Sequence, residues 1–318
     1  MYKSEISIAV TVVLYENEYA DVCRMLKSLD ASIENTKMFQ KVLVRIGDCS
    51  KSQMLSLSDI ESLGGQTKHL KIEYVFFAKN LHHSLGVNRL CDSIKEEAIL
   101  ILNPDSMLSS NTIEEMIKRY DGKNLIEARQ FPVEHTKPFD PLTGITSWSS
   151  GCCLLVPANV FRSLQGFDHQ VFPNYANDVD FSWRAKLLGS DSIIATNAFV
   201  YHDKKFDTET KSVVASELEK FESMLAYLLM SRKYRRDEEY SKTLEWLSSN
   251  YDGFSSIKKT LFTRIPLINQ FDTELIESKF FSISGGIYGA ADIYDLKMSE
   301  RDLKFRESRS KNKDRSMT

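Results

Sequence analysis

The chain has 318 residues, 42% apolar and 27% charged, with a net charge of −3. This is an ordinary soluble composition, long enough for one large domain and a sizeable appendage, and its charge gives no global pull toward nucleic acid. Five cysteines (Cys23, Cys49, Cys91, Cys152 and Cys153) lack C-x-x-C spacing, which argues against a disulfide framework or structural zinc and for a reducing compartment.

Residues 6–14 are continuous, β-branched and apolar, the pattern of a strand covered on both faces. No small-residue cleavage site follows them, so they read as a buried first strand rather than a leader. Tyr19, Val22, Cys23, Leu26, Leu29 and Ile33 recur at helical steps. Residues 41–46 and 70–77 predict a second and a third strand, with a chain break at Gly64-Gly65 between them. After a polar loop, a helix over 86–97 leads into a fourth strand at 98–102. Asn103-Pro104-Asp105-Ser106 ends that strand, because Pro104 cannot donate to a ladder. Asn111 with Glu114 predicts a capping box.

This alternation predicts an open α/β sheet, whose ligands sit at the carboxyl ends of the strands. Tyr15-Glu16, Asp48, the 80–88 loop and 103–106 would then surround one crevice. Beyond residue 123 the pattern loosens into a segment at 125–130, a Pro-rich loop through Pro141 and a strand at 152–156. Pro157 suits the first position of a helix over 158–164. In the 172–184 stretch, Asn177 reads as a helix N-cap with Asp180 as a variant capping box, and Asp180 and Arg184 can pair at i,i+4. A strand at 192–200 ends in Tyr-His-Asp, and residues 209–236 predict a long helix. The charged tail, residues 297–318, reads as disordered. No run approaches bilayer length, so the expected location is cytoplasmic.

No Walker A, G-x-G-x-x-G, H-E-x-x-H or G-x-S-x-G motif is present. What remains is a set of acidic and amide residues at strand ends and one histidine. Asp105, in its Pro-forced turn, suits Mg²⁺ or Mn²⁺ beside a diphosphate; the plain alternative is an Asx-turn. His202 offers a second ligand, or is a structural strand-end histidine. Asp48 either accepts from a nucleobase or ribose, or forms the Gly47-Asp48 turn. His82-His83 read as loop residues with a substrate contact as an option.

In this order the pieces resemble glycosyltransferase family 2, inverting enzymes of the GT-A fold, and especially its rhamnosyltransferase-like members. The resemblance covers about residues 6–203. It rests on residues 12–17, Gly47-Asp48-Cys49-Ser50, Asn80-Leu81 with Gly86-Val87-Asn88, Leu102–Ser106, Ser150-Gly151-Cys152, Gly166-Phe167-Asp168, Asn177–Phe181 with Arg184, and Tyr201-His202. It implies donor contacts from Val13, Tyr15, Glu16, Asp48, Asn80, Gly86, Asn88, Asn103 and Asp105. It also implies a metal held by Asp105 and His202, and Asp178 as the catalytic base, with Asn177, Asp180, Arg184, Gly151 and Trp148 in support. Four positions depart from the family pattern: Asn103 and Asn177 replace acids, His82 replaces a Gly, and Gly47 an Asp.

The resemblance thus predicts an α/β GT-A domain over residues 1–205, with a nucleotide-sugar half to about 122 and an acceptor half from 123. A helical region, 206–318, follows. The implied reaction moves a sugar, rhamnose or another hexose, from a dTDP, UDP or GDP donor to a saccharide acceptor, with Mg²⁺ or Mn²⁺, in bacterial O-antigen or capsule biosynthesis. A sugar nucleotidyltransferase and a non-catalytic sugar-nucleotide-binding subunit of an assembly complex are the competing readings. Lys258, Lys259 and Arg264 lie among apolar residues in 256–267, a basic amphipathic segment. It reads as a core or interface helix, with peripheral contact to the inner membrane face as the alternative. A lipid-linked acceptor and a homo-oligomer through the C-terminal region are further options.

Overall fold

Seven buried residues form the central strand β1 (Ile8–Leu14) of the computed structural model. The structure describes residues 6–36, 41–132, 134–135, 137–203, 206–207, 212–213 and 216–271. The first half continues with α1 (Tyr19–Glu34), β2 (Val42–Asp48), α2 (Leu57–Gln66), β3 (Leu70–Phe76), α3 (His82–Cys91) and β4 (Ala98–Leu102). Strand β1 lies between β2 and β4, parallel to both, and β3 extends the row beside β2. Alternate β1 side chains feed two cores, as the strand period of two requires. Val10, Val12 and Leu14 pack with Leu26 and Leu29 of α1, whereas Ala9 and Val13 pack with Val87 and Leu90 of α3. Both sheet faces are therefore covered, and the ends of β1, β2, β3 and β4 open on one edge.

The second half adds β5 (Ser106–Leu108), α4 (Thr112–Arg119), β6 (Leu125–Phe131), β7 (Ile145–Thr146), β8 (Cys153–Pro157), α5 (Ala158–Ser163), α6 (Asn177–Leu187) and β9 (Ser192–His202). The strand order is β3-β2-β1-β4-β8-β6-β9-β5, with β7 on β9. Strand β8 runs antiparallel to β4 and β6, while β6 and β9 are parallel. Strands β10 (Phe206–Asp207) and β11 (Ser212–Val213) form a small antiparallel pair. Helices α7 (Glu217–Lys233), α8 (Asp237–Asn250) and α9 (Phe254–Arg264) follow, and a 3₁₀ turn at Ile265–Leu267 comes after α9.

Several local expectations are corrected. The Gly64-Gly65 break lies inside α2, which is started by a capping box between Ser56 and Asp59. Both glycines have open space around them, so a helix end tolerates them there. Helix α3 begins at His82 rather than 86, because Asn80 Oδ1 accepts the His82 N–H at 2.8 Å. Asn111 does precede α4, but its side chain makes no cap; it accepts from Ser109 Oγ, while Glu114 pairs with Lys118. The long helix expected from 209 starts at Glu217, with a strand at 212–213 before it. The charged tail at 297–318 lies outside the described residues.

The three C-terminal helices share a core with the sheet domain. Leu225, Leu228 and Leu229 of α7 pack with Trp148, Phe172 and Trp183, and Leu247, Ile257 and Leu261 of α8 and α9 complete the cluster. The inward stripe of α9 is thus apolar, with Lys258 and Lys259 outside. Among the described residues no helix is long and apolar enough to cross a membrane.

Candidate active site

Helix α6 carries Asp178 in its first turn, but the cap differs from the sequence expectation. Ala176, not Asn177, is the N-cap, in a left-handed conformation at φ 57°, and no side chain caps the helix. Asn177 is inside the helix, its amide nitrogen 3.0 Å from His83 Nδ1 of α3. Asp180 turns away from the cap altogether: it is fully buried and takes Arg184 Nε at 2.8 Å. Burial would raise its carboxyl, yet Arg184 and then Lys233 outweigh that and hold it below the usual aspartate range.

Asp178 is half-buried. Its Oδ2 accepts the Gly151 N–H at 2.9 Å, and Oδ1 accepts the Val179 N–H at 2.8 Å. Burial pushes its pKa up, against the pull of those two amides and the more distant Lys137 charge. A raised carboxylate with unfilled lone pairs suits a general base better than a helix N-terminus alone would suggest.

The turn after β4 holds the metal candidates. Asp105 Oδ1 lies 3.4 Å from His202 Nε2, and the Asn103 amide nitrogen is also 3.4 Å from that nitrogen. His202 Nδ1 meets Gln130 Oε1 at 3.0 Å, so Nδ1 carries the donated hydrogen and Nε2 faces the carboxylate. Burial opposes charge on His202, but Cys152 and Asp105 favour it, and the imidazole is pushed up to about 10. Without a metal the pair is held by a proton on the imidazole, which a metal would have to displace; the oxygen-plus-imidazole donor set itself suits Mn²⁺ or Mg²⁺. Among the described residues no three His, Cys, Asp or Glu side chains gather as a metal site. Asp105 and His202 would thus be two ligands, with diphosphate oxygens to supply the others.

One loop joins the two centres. Gly151 touches Asp178, the Cys152 carbonyl accepts the Asn103 N–H at 2.9 Å, and Ser150 Oγ accepts from Gln130 at 2.7 Å. Behind it, Glu127 accepts the Ser150 N–H and pairs with Lys137 Nζ at 2.7 Å, both side chains 3% exposed. Burial raises the Glu127 carboxyl to about 7 against the pull of Lys137. Lys137 also donates to the Trp148 carbonyl at 2.6 Å and lies 4.0 Å above its ring. A register irregularity between Ala128 and Arg129 lets Glu127 and Gln130, three apart, both reach Ser150. Sequence reasoning missed Glu127, Gln130 and Lys137. The signal was an acid inside the apolar run Leu-Ile-Glu-Ala, which in a buried strand demands a partner.

The residues expected to touch the donor divide in two. Tyr15, 45% exposed, Glu16 and Asn80 line the open edge, with the Glu16 N–H held by Ser50 Oγ at 2.8 Å. Asp48 is fully buried instead and accepts from the Ser50 and Met54 amides and the Tyr74 hydroxyl. That corrects a direct base contact to a scaffold for the loop after β2. Gly86 and Val13 serve packing: a Cβ on Gly86 would meet Val13 Cγ2 at 2.9 Å. Asn88 is likewise committed, exchanging bonds of 2.9 Å with the Phe167 N–H and carbonyl. His82 adopts φ 58°, a conformation that glycine takes without cost, which accounts for the glycine of the resembled motif. His83 is a site neighbour, its pKa lowered to about 4 by burial. It stays neutral beside Asn177.

No family model matches this chain, and no curated protein sequence matches it. Solved structures do. The chain is similar to the mannosyltransferase PcManGT from Pyrobaculum calidifontis in complex with GDP-Man and Mn²⁺, at TM-score 0.55 and 12% identity over 84% of this chain and 83% of that one. It is also similar to GalNAc-T7 with UDP, GalNAc and Mn²⁺, at TM-score 0.57 and 10% identity over 86% of this chain. The match spans 57% of the GalNAc-T7 chain. The protein has a GT-A glycosyltransferase fold, an open, mostly parallel α/β sheet flanked by helices.

Proposed function

We propose that this protein is an inverting glycosyltransferase that moves a sugar from a nucleoside-diphosphate sugar to a hydroxyl of a saccharide acceptor. The observation that carries this is the 150–152 stretch, which touches Asp178 through Gly151, His202 through Ser150 and Gln130, and Asn103 through Cys152. A base and a diphosphate-side acid–imidazole pair are thereby held against one loop, as single displacement at an anomeric carbon requires. Asp178 takes the acceptor proton as the new glycosidic bond forms, and the Gly151 amide fixes the orientation of the carboxylate. A divalent cation bound by Asp105 and His202 would stabilise the charge developing on the leaving diphosphate. Tyr15, Glu16 and Asn80 form the donor edge, over a floor shaped by Asp48, Gly86 and Asn88.

Mg²⁺ and Mn²⁺ both suit this donor set. The neighbouring structures hold GDP-Man in one case and UDP with GalNAc in the other, and rhamnose remains the sugar suggested by the sequence resemblance to the family 2 rhamnosyltransferases. Catalysis is assigned to residues 1–205, with helices α7, α8 and α9 as a buttress. A role in cytoplasmic assembly of surface polysaccharide follows the same resemblance. The test is a panel of dTDP-, UDP- and GDP-sugars with and without Mn²⁺. A bound donor raises the melting temperature by mass action, and transfer or slow hydrolysis of that donor must follow. If no donor shifts the melt and none is turned over, the reading fails. Release of pyrophosphate from a sugar phosphate plus a nucleoside triphosphate would support the nucleotidyltransferase instead.

A further inference from the structure

Helix α7 ends in a charge cluster that the proposed reaction does not use. Lys233 is 1% exposed, and its ammonium lies 2.6 Å from Asp168 Oδ2 and 2.7 Å from Asp180 Oδ1. The next residue, Tyr234, is fully buried and donates its hydroxyl to Asp180 Oδ1 at 3.0 Å. Its ring meets Trp183 of α6 edge-on at 4.7 Å. Arg184 takes the other Asp180 oxygen and spends its remaining nitrogens on the Leu164 and Gly166 carbonyls, each at 3.0 Å. Asp168 also anchors its own turn, its carbonyl accepting the Phe172 N–H at 2.8 Å.

Two acids, Asp180 buried and Asp168 partly exposed, thus balance two buried bases, which is the condition for burying the bases. The arrangement has a direction. Asp180 follows Asp178 by two residues, about 200° round the helix at 3.6 residues per turn. The cluster therefore grips α6 on the side away from the crevice, and whatever fixes its rotation there fixes Asp178 against Gly151. A single lysine outside the sheet domain reaches both α6 and the 164–172 turn. Burying an ammonium only to fasten a helix that already has a large apolar contact would be an expensive solution.

We propose that Lys233 is a positioning residue for transfer. It clamps α6 through Asp180 and the preceding turn through Asp168, and so holds Asp178 in the orientation that the acceptor hydroxyl needs. The inference rests on the assignment of Asp178 as base, and its test separates the two. In the full chain, Lys233→Met and Lys233→Arg are compared by thermal melting, by amide hydrogen exchange over residues 178–182, and by kcat and donor KM. Lys233→Met is expected to melt cooperatively, to exchange faster in the α6 first turn with the β1–β4 amides unchanged, and to lose kcat by about 10- to 100-fold at near-constant donor KM. Lys233→Arg recovers part of both losses. Wild-type exchange over 178–182 in Lys233→Met overturns the clamp, as does an unchanged kcat. Near-wild-type transfer by Asp178→Asn overturns the base assignment, while exchange in Lys233→Met still decides the clamp. Should Lys233→Met fail to fold, Asp168→Asn removes one of the two grips. Unchanged exchange and kcat in that variant overturn the proposal.

Discussion

The Gly151 amide donates to Asp178 Oδ2 at 2.9 Å, while the amide before it, on Ser150, donates to Glu127. Two carboxylates from different elements hold consecutive N–H groups of one loop, and each constrains where the other can sit. Glu127 is balanced by Lys137 deep in the fold, while Asp178 is the more exposed of the two acids.

Replacing Asp178 by Asn keeps shape and removes the base. Transfer should fall by about 100-fold or more, while donor binding by calorimetry survives. Near-normal turnover would exclude Asp178 from the chemistry.

The acid limb of kcat should sit above the ordinary aspartate range, because burial raises Asp178 and only its deprotonated form accepts a proton. For stability the sign is opposite to that of a salt-bridged acid. A raised folded pKa means the folded state holds the proton more tightly, so wild type should gain stability relative to Asp178→Asn as pH falls through that window. A pH profile with its acid limb at the usual aspartate value would contradict this.

Asp105→Ala and His202→Ala should each abolish metal-dependent donor binding, since each removes half of the facing pair. Calorimetry with Mn²⁺ and with EDTA measures it. Equal donor affinity in both conditions, in wild type and variants, would sink the metal assignment.

Lys137→Met leaves the buried Glu127 without its partner and forces it to take up a proton, and should destabilise by about 3–5 kcal/mol. Adding Glu127→Gln should recover part of that loss in denaturant titrations, because the two share one interaction. Strict additivity would show that they do not.

Gly86→Ala puts a methyl 2.9 Å from Val13 and should destabilise by about 1–3 kcal/mol. The double change with Val13→Ala should restore part of it. A neutral Gly86→Ala would mean that α3 shifts freely on β1.

Much of this protein could be read in one dimension. The strand patterns at 6–14, 41–46, 70–77 and 98–102, the Pro104 stop and the order of strand-end acids are local or periodic signals. They determined the sheet's parallel half and its open edge, because side-chain period and turn chemistry depend on neighbours a few residues away. Tertiary structure decided which polar groups are available. Asp48 and Asn88 looked like donor contacts, yet both are taken up by backbone groups from other segments. Asn177 looked like a cap, yet a left-handed Ala176 starts the helix and Asn177 turns to His83. Lys137 and Lys233 carried no sequence signal, being ordinary lysines in a loop and a helix. Only the fold brings Lys137 within 2.7 Å of an acid 10 residues away and Lys233 within 2.7 Å of one 53 residues away. Burial makes those pairings matter, because a charge removed from water must find its partner wherever the chain has placed it.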